Sequence, residues 1–233
     1  MTGKRDLRTL VPPILAEGHA TEHVLRAGRK LVHEGSPCGD LFAVHSGWLI
    51  AFRQLRDGSR HIQNFWLPGE VCGAELAVFR NAPFSVMAIT DCHVSAIAPE
   101  VLESHIGGDV LNSLLCQTSI ILRERMVSLG RRSAFLRVAY LLLELTLRQR
   151  KAAGSHQLLP LSQLEVADST GLTSVYVNRL FGTMRASGQI EVSRRGIRLR
   201  EVEALSREVE FNPLYLGGPF PAHPVFSSTN SAF

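Results

Sequence analysis

The stretch VADSTGLTSVYVNRLFGTMR, residues 166–185, places Ala167, Gly171 and Val177 at offsets of four and then six. Just before it, Ser162 and Glu165 have the spacing of a capping box, which starts a helix at about Gln163. That helix can run only to Ser169 or Thr170, because Gly171 supplies the left-handed backbone conformation that ends it. Thr173 can cap a second helix, whose Val177, Leu180, Phe181 and Met184 share an inward face. Ala167 then lies where the two helices cross, and a larger side chain would push them apart. The offsets are the steric requirements of a helix-turn-helix. Ordinary helical hairpins share this spacing, so the flanking sequence has to decide.

Downstream, IEVSRRGIRLR alternates Ile190 and Val192 with Ile197 and Leu199 around Arg194, Arg195 and Gly196. This reads as a hairpin with a basic tip, with Arg198 and Arg200 facing outward: the wing of a winged helix, suited to phosphate contact. The charge distribution agrees. Residues 1–130 carry 12 Lys and Arg against 13 Asp and Glu, whereas residues 131–233 carry 13 against 8. A basic C-terminal part beside a neutral N-terminal part points to nucleic acid.

Upstream, Ser133 can cap a helix with an apolar stripe of Phe135, Leu136, Ala139, Leu142 and Leu143, ending near Arg150 and Lys151. Before it, Asp109 to Leu129 carries apolar residues on more than one face. One face can lie on the N-terminal part and another on a second subunit, through Leu111, Leu115, Leu122, Met126 and Leu129. Gly130-Arg131-Arg132 reads as a hinge. From about Lys30 to Ala98, short apolar runs are broken by EGSPCGD, Ser46-Gly47, Asp57-Gly58 and Pro68-Gly69, the pattern of a β-sandwich or roll. A helical beginning is expected around residues 9–26. The fold class expected is α+β: a β-roll or jelly-roll sensor domain (1–108), a dimerisation helix and hinge (109–130), a winged helix-turn-helix domain (131–215) and a tail (216–233).

Composition excludes several classes. No apolar run approaches the roughly 18 residues that a membrane helix needs, and the start, MTGKRDLRTLVPP, lacks the features of a secretory signal. A cytoplasmic protein without a membrane partner is expected. Cys38, Cys72, Cys92 and Cys116 are scattered, with neither disulfide nor zinc spacing, so no metal site is expected.

The order of parts resembles the Crp/Fnr family of bacterial transcription regulators, most specifically in LPLSQLEVADSTGLTSVYVNRLFGTMRASGQI and the wing after it. RAGRKLVHEGSPCGDLFAVHSGWL and LPGEVCGAEL resemble the family's sensor roll, and FLRVAYLLLEL its first DNA-domain helix. The resemblance implies a homodimer on palindromic double-stranded DNA, with RNA polymerase as a candidate partner. Its cyclic-nucleotide sensors hold the ribose with a Glu and the cyclic phosphate with an Arg and a following Ser. Here the pocket candidates are Gly73, Glu75, Leu76, Phe84 and Ser85, with one extra residue before Glu75 and Phe84 in place of the arginine. A cyclic phosphate would lack its charge-assisted partner, so cyclic nucleotide binding is not expected. Nor is an iron–sulfur cluster, since no cysteine precedes Cys38. Nine histidines leave a haem ligand open, and the effector stays unidentified.

In a helix-turn-helix the N-terminal half of the second helix lies in the major groove. With the inward face assigned, Ser174, Val175, Asn178 and Arg179 are the base-reading candidates, and Thr173, Arg185, Arg194 and Arg195 the phosphate contacts. Family members often carry a Glu at the position of Val175. Two other classes compete. A protein-interaction adaptor that keeps the winged helix would lack outward cations, against Arg179 and Arg185. A cupin-like metal enzyme would need clustered histidines, where this chain has His93-Val94-Ser95 and, four apart with no third ligand suggested, His19 and His23. No catalytic constellation converges, and an enzyme is not expected.

Overall fold

The computed structural model describes residues 20–106, 109–153 and 158–216. Two four-stranded antiparallel sheets form the N-terminal roll. One has the order β1 (Ala20–Leu25), β8 (Cys92–Ile97), β3 (Leu41–Ser46), β6 (Val71–Cys72). The other has the order β2 (Lys30–Val32), β7 (Ser85–Ala88), β4 (Leu49–Gln54), β5 (Arg60–Trp66). Between the sheets lies a core that includes Phe42, Val44, Leu49, Trp66, Leu76, Val86 and Val94.

Strand β4 shows what binds the roll to the rest. Its first four residues, Leu49-Ile50-Ala51-Phe52, are all buried. Successive side chains on a strand point to opposite faces. Leu49 and Ala51 enter the inter-sheet core, while Ile50 and Phe52 join a second cluster with Leu142, Val166, Phe181 and Ile197 of the C-terminal part. A continuous apolar run therefore marks a strand covered on both faces, the outer face by the C-terminal domain.

After the roll come α1 (Pro99–Ile106), α2 (Asp109–Arg131), α3 (Ala134–Ala153), α4 (Gln163–Thr170) and α5 (Ser174–Ala186). A hairpin of β9 (Ile190–Ser193) and β10 (Gly196–Leu199) follows, then α6 (Val202–Glu208) and a 3-10 turn at Pro213–Leu216. The hairpin packs against the segment before α4, where Leu159 bridges to Ile197. Gly196 has φ +138°, and a Cβ there would lie 2.0 Å from the Leu159 carbonyl oxygen. Only glycine permits that approach.

Three expectations need correction, and one helix was missed. Residues 20–25 of the expected N-terminal helix form strand β1, because β8 offers them a six-residue antiparallel partner; the stretch before residue 20 lies outside the described residues. Gly130 and Arg131 are not a hinge but the last residues of α2, and the break comes at Arg132-Ser133. Helix α6 went unread in the sequence. Its N-cap, Glu201, makes no side-chain capping bond, so the usual start signal is missing. The expected tail from residue 216 begins with Leu216 in the 3-10 turn, where it is buried; the remainder lies outside the described residues.

Candidate nucleic-acid interface and sensor pocket

The helix-turn-helix is built as its residues require. Ser162 accepts a hydrogen bond from the Glu165 N–H, and Glu165 reaches back to the Ser162 N–H, closing the capping box. Helix α4 ends at Gly171, whose φ of 66° is left-handed and whose N–H donates to the Ala167 carbonyl. Thr173 caps α5 by accepting from the Tyr176 N–H at 3.2 Å. Ala167, Val177, Phe181 and Met184 are buried in the crossing, and Leu180 is half-buried against it.

This packing leaves the other face of α5 in solvent. Ser174, Val175, Asn178, Arg179 and Arg185 are exposed, with Val175 at 72%. Asn178 accepts from the Gln163 side chain at 3.2 Å, which holds one base-reading candidate against α4. Arg185 donates from Nε to the Phe181 carbonyl at 3.3 Å, keeping its outer nitrogens for other partners. At the wing, Arg194, Arg195 and Arg198 are exposed. Arg200 instead pairs with Glu191 across the hairpin, which removes it from the free cations of the wing. Sequence reasoning missed Tyr176, exposed at 42% beside Val175, and Gln163. The helical period that placed Val175 outward was the signal that could have found Tyr176.

In the roll, Gly73, Glu75 and Leu76 belong to the turn after β6, and Phe84 and Ser85 to the entry of β7. Leu76 is fully buried. Phe84 is half-buried and its ring lies 6.5 Å from that of Trp66. The Ser85 hydroxyl accepts from the Glu34 N–H at 3.0 Å. Burial pushes the Glu75 carboxyl above its usual range, and its Oε2 is buried with no hydrogen-bond partner. Arg80 is exposed. The cysteines are unpaired: Cys72 and Cys92 are buried with raised thiol pKa, Cys38 donates to the carbonyls of Leu76 and Phe79, and Cys116 is exposed. Among the described residues, no group of three or more His, Cys, Asp or Glu could hold a metal ion. No described helix is long and apolar enough to cross a membrane.

On α2 the faces are divided. Leu114 and Ile121 are buried. Leu111 and Leu115 pack partly against the roll cluster of Leu41, Ala43, Val71, Ala74, Ile97 and Leu102. Leu122 and Leu129 are half-buried, and a Cβ on Gly171 would lie 3.5 Å from Leu129. Met126 is 72% exposed, and Cys116, Ile120, Arg123 and Val127 form an exposed row at spacings of four, three and four.

Known proteins match this arrangement part by part. A cyclic nucleotide-binding domain profile matches residues 22–107, and a Crp-like helix-turn-helix domain profile matches residues 136–208. The nitrogen fixation regulation protein FixK of Bradyrhizobium diazoefficiens is 30% identical over 210 residues, 82% of this chain and 86% of that one. The transcriptional activator protein Anr of Pseudomonas aeruginosa is 29% identical over 75% of each chain. Among solved structures, FixK2 from Bradyrhizobium japonicum superposes with a TM-score of 0.71 at 30% identity, covering 81% of this chain and 96% of that one. A CRP-family transcriptional regulator from Thermus thermophilus shares the fold at 20% identity, with a TM-score of 0.66 and coverage of 81% and 96%. A roll coupled to a winged helix-turn-helix defines a DNA-binding regulator of transcription. The chain belongs to the Crp/Fnr family.

Proposed function

We propose that the chain acts as a homodimer in the cytoplasm, reading a palindromic DNA site with α5 and anchoring on phosphates with the wing. The observation that carries this is the solvent-facing row Ser174, Val175, Asn178 and Arg179 on a helix otherwise locked by its cap and its buried face. Arg179 suits guanine O6 and N7, Asn178 an adenine edge, and Val175 a thymine methyl. Thr173 and Arg185 lie at the two ends of α5, Arg194 and Arg195 at the tip of the wing, and all four suit phosphates. The second subunit fits the outward face of α2, where Met126 joins Ile120 and Val127. An exposed row in heptad-like spacing, Cys116, Ile120, Arg123 and Val127, favours helix-on-helix pairing. Relatives named as transcriptional activators support an activator whose further partner is RNA polymerase.

For the roll, Phe84 packed near Trp66 and the Ser85 hydroxyl engaged by Glu34 argue against a bound cyclic phosphate. A missing charge-assisted fork costs about 1.5–3 kcal/mol. Calorimetry with cyclic AMP should give no micromolar binding.

The decisive experiment is selection of bound sequences from random duplex DNA, with light scattering on the same protein. The expected result is a two-fold symmetric site and a dimer that the double variant Ile120→Glu and Val127→Glu converts to a monomer. An asymmetric site, or a monomer in the unmutated chain at micromolar concentration, would overturn the reading.

A further inference from the structure

Where α2, α3, α4 and the C-terminal turn meet lies a small cleft with a cavity volume of about 20 Å³. Its lining carries three arginines, Arg125, Arg132 and Arg137, against two carboxylates, Glu124 and Glu144. Both carboxylates are already engaged. Glu124 pairs with Arg132 at 2.5 Å, and Glu144 accepts from Arg125 at 3.0 Å and from Arg148 at 2.8 Å. Arg137 donates to the Arg132 carbonyl and, at 3.4 Å, to that of Thr170.

The guanidinium groups still have donors to spare. Nε and Nη1 of Arg125 and Nη1 of Arg132 are buried without a hydrogen-bond partner. Both groups are also fixed in place. The Arg132 guanidinium carbon lies 3.4 Å from the centroid of the Tyr140 ring, and that of Arg125 lies 5.3 Å from the Phe65 ring. Buried N–H donors on a cation are costly to leave unmade, so the site favours a ligand that supplies acceptors and negative charge. An arginine's rigid fork of donors matches tetrahedral oxyanions.

We propose that this cleft binds a small phosphate-type oxyanion, held by Arg125 and Arg132. Nothing in the DNA-reading role requires it, so failure here would leave that role intact. The cleft reaches Ser169 and Thr170, the last residues of the first helix of the helix-turn-helix. An anion there would tie the long helix α2 to that unit and couple a small metabolite to the pose of the reading head.

The test is calorimetry and thermal unfolding of the full chain, with sodium phosphate set against sodium chloride at matched ionic strength. Saturable binding and a rise in Tm are expected in phosphate alone. Arg132→Lys keeps a cation beside Glu124 and over Tyr140 but loses the fork, and should weaken phosphate binding at least tenfold. If that variant does not fold, Arg125→Lys serves with the same expectation. Arg195→Ala on the wing should leave phosphate affinity unchanged. A parallel titration with glycerol 3-phosphate separates the sources: at least tenfold tighter binding assigns a phosphorylated metabolite, equal binding assigns phosphate itself. The proposal is overturned if phosphate shows no saturable effect, or if affinity survives the lysine variants. Loss of binding in Arg195→Ala would overturn it too, by moving the anion to the DNA-binding face.

Discussion

Arginines of the wing and arginines of the domain junction are the same side chain under opposite conditions. Arg194, Arg195 and Arg198 stand in water, on a hairpin where the neighbouring Arg200 is paired with Glu191. Arg148 at the junction is 7% exposed. It donates to both oxygens of Glu70, to Glu144 and to the Phe65 carbonyl, so one guanidinium joins the roll to α3. A solvated cation costs nothing to hold ready for a phosphate. A buried one is costly to leave unpaired, and at Arg148 the pairing fixes geometry. Charge on the wing is therefore available for binding, whereas that of Arg148 is committed to docking.

The largest effect is expected where that docking is broken. Arg148→Leu takes from Glu70 and Glu144 the cation they share and leaves the buried Glu144 to Arg125. A loss of about 3–5 kcal/mol is expected for a buried pair deprived of one member. Urea unfolding monitored by circular dichroism measures it, and a loss below about 1 kcal/mol, the range of surface pairs, would erase the contrast between the two regions.

Next comes the reading head. Arg179→Ala should cost about 1–3 kcal/mol in DNA affinity and relax preference at one base per half-site, with folding stability unchanged. If affinity fell equally on every sequence, Arg179 would belong with the wing as a phosphate anchor.

Acid should act on the roll and the junction before the wing. Burial, with His93 alongside, pushes His45 below its ordinary 6.5, and burial pushes His61 down more strongly than Asp168 raises it. The unfolded chain therefore takes up protons that the folded chain resists, and stability falls as pH drops below about 6.5. Glu144 follows lower down. Burial raises its pKa, but Arg125 and Arg148 outweigh that and hold it under 4.5, so its contribution is present above that value and lost as pH falls further. Unfolding scans across this range should show the decline, and His45→Asn with His61→Asn should flatten its upper part.

The smallest effect belongs to the wing tip. Arg195→Ala should weaken all DNA sequences alike by a few-fold and lower the slope of log affinity against log salt by about one. A sequence-dependent loss would instead place Arg195 in a groove.

The helix-turn-helix was legible because its signals are local. A capping box, a left-handed glycine and a cap threonine all act within four residues of the atoms they satisfy, so Ser162, Gly171 and Thr173 announce themselves. The wing was legible by alternation about Gly196. Strand β1 was not, since its burial is partial and it becomes a strand by pairing with β8, about 70 positions away. On α2 the sequence showed apolar coverage of several faces but could not divide them. Leu111 and Leu115 turn to the roll only because α2 packs there, which leaves Ile120, Met126 and Val127 outward.

By itself the sequence determined the two helices of the helix-turn-helix, their ends and the outward row of α5, because periodicity and capping depend on near neighbours. Only the tertiary structure decided which charges meet. Arg60 pairs with Asp168 at 2.7 Å across 108 positions, and Arg148 meets Glu70 across 78. Such partners are chosen by the docking of the DNA-binding domain on the outer face of β4 and β5. That docking is driven by apolar area, which has no direction and so leaves no pairing code in the chain.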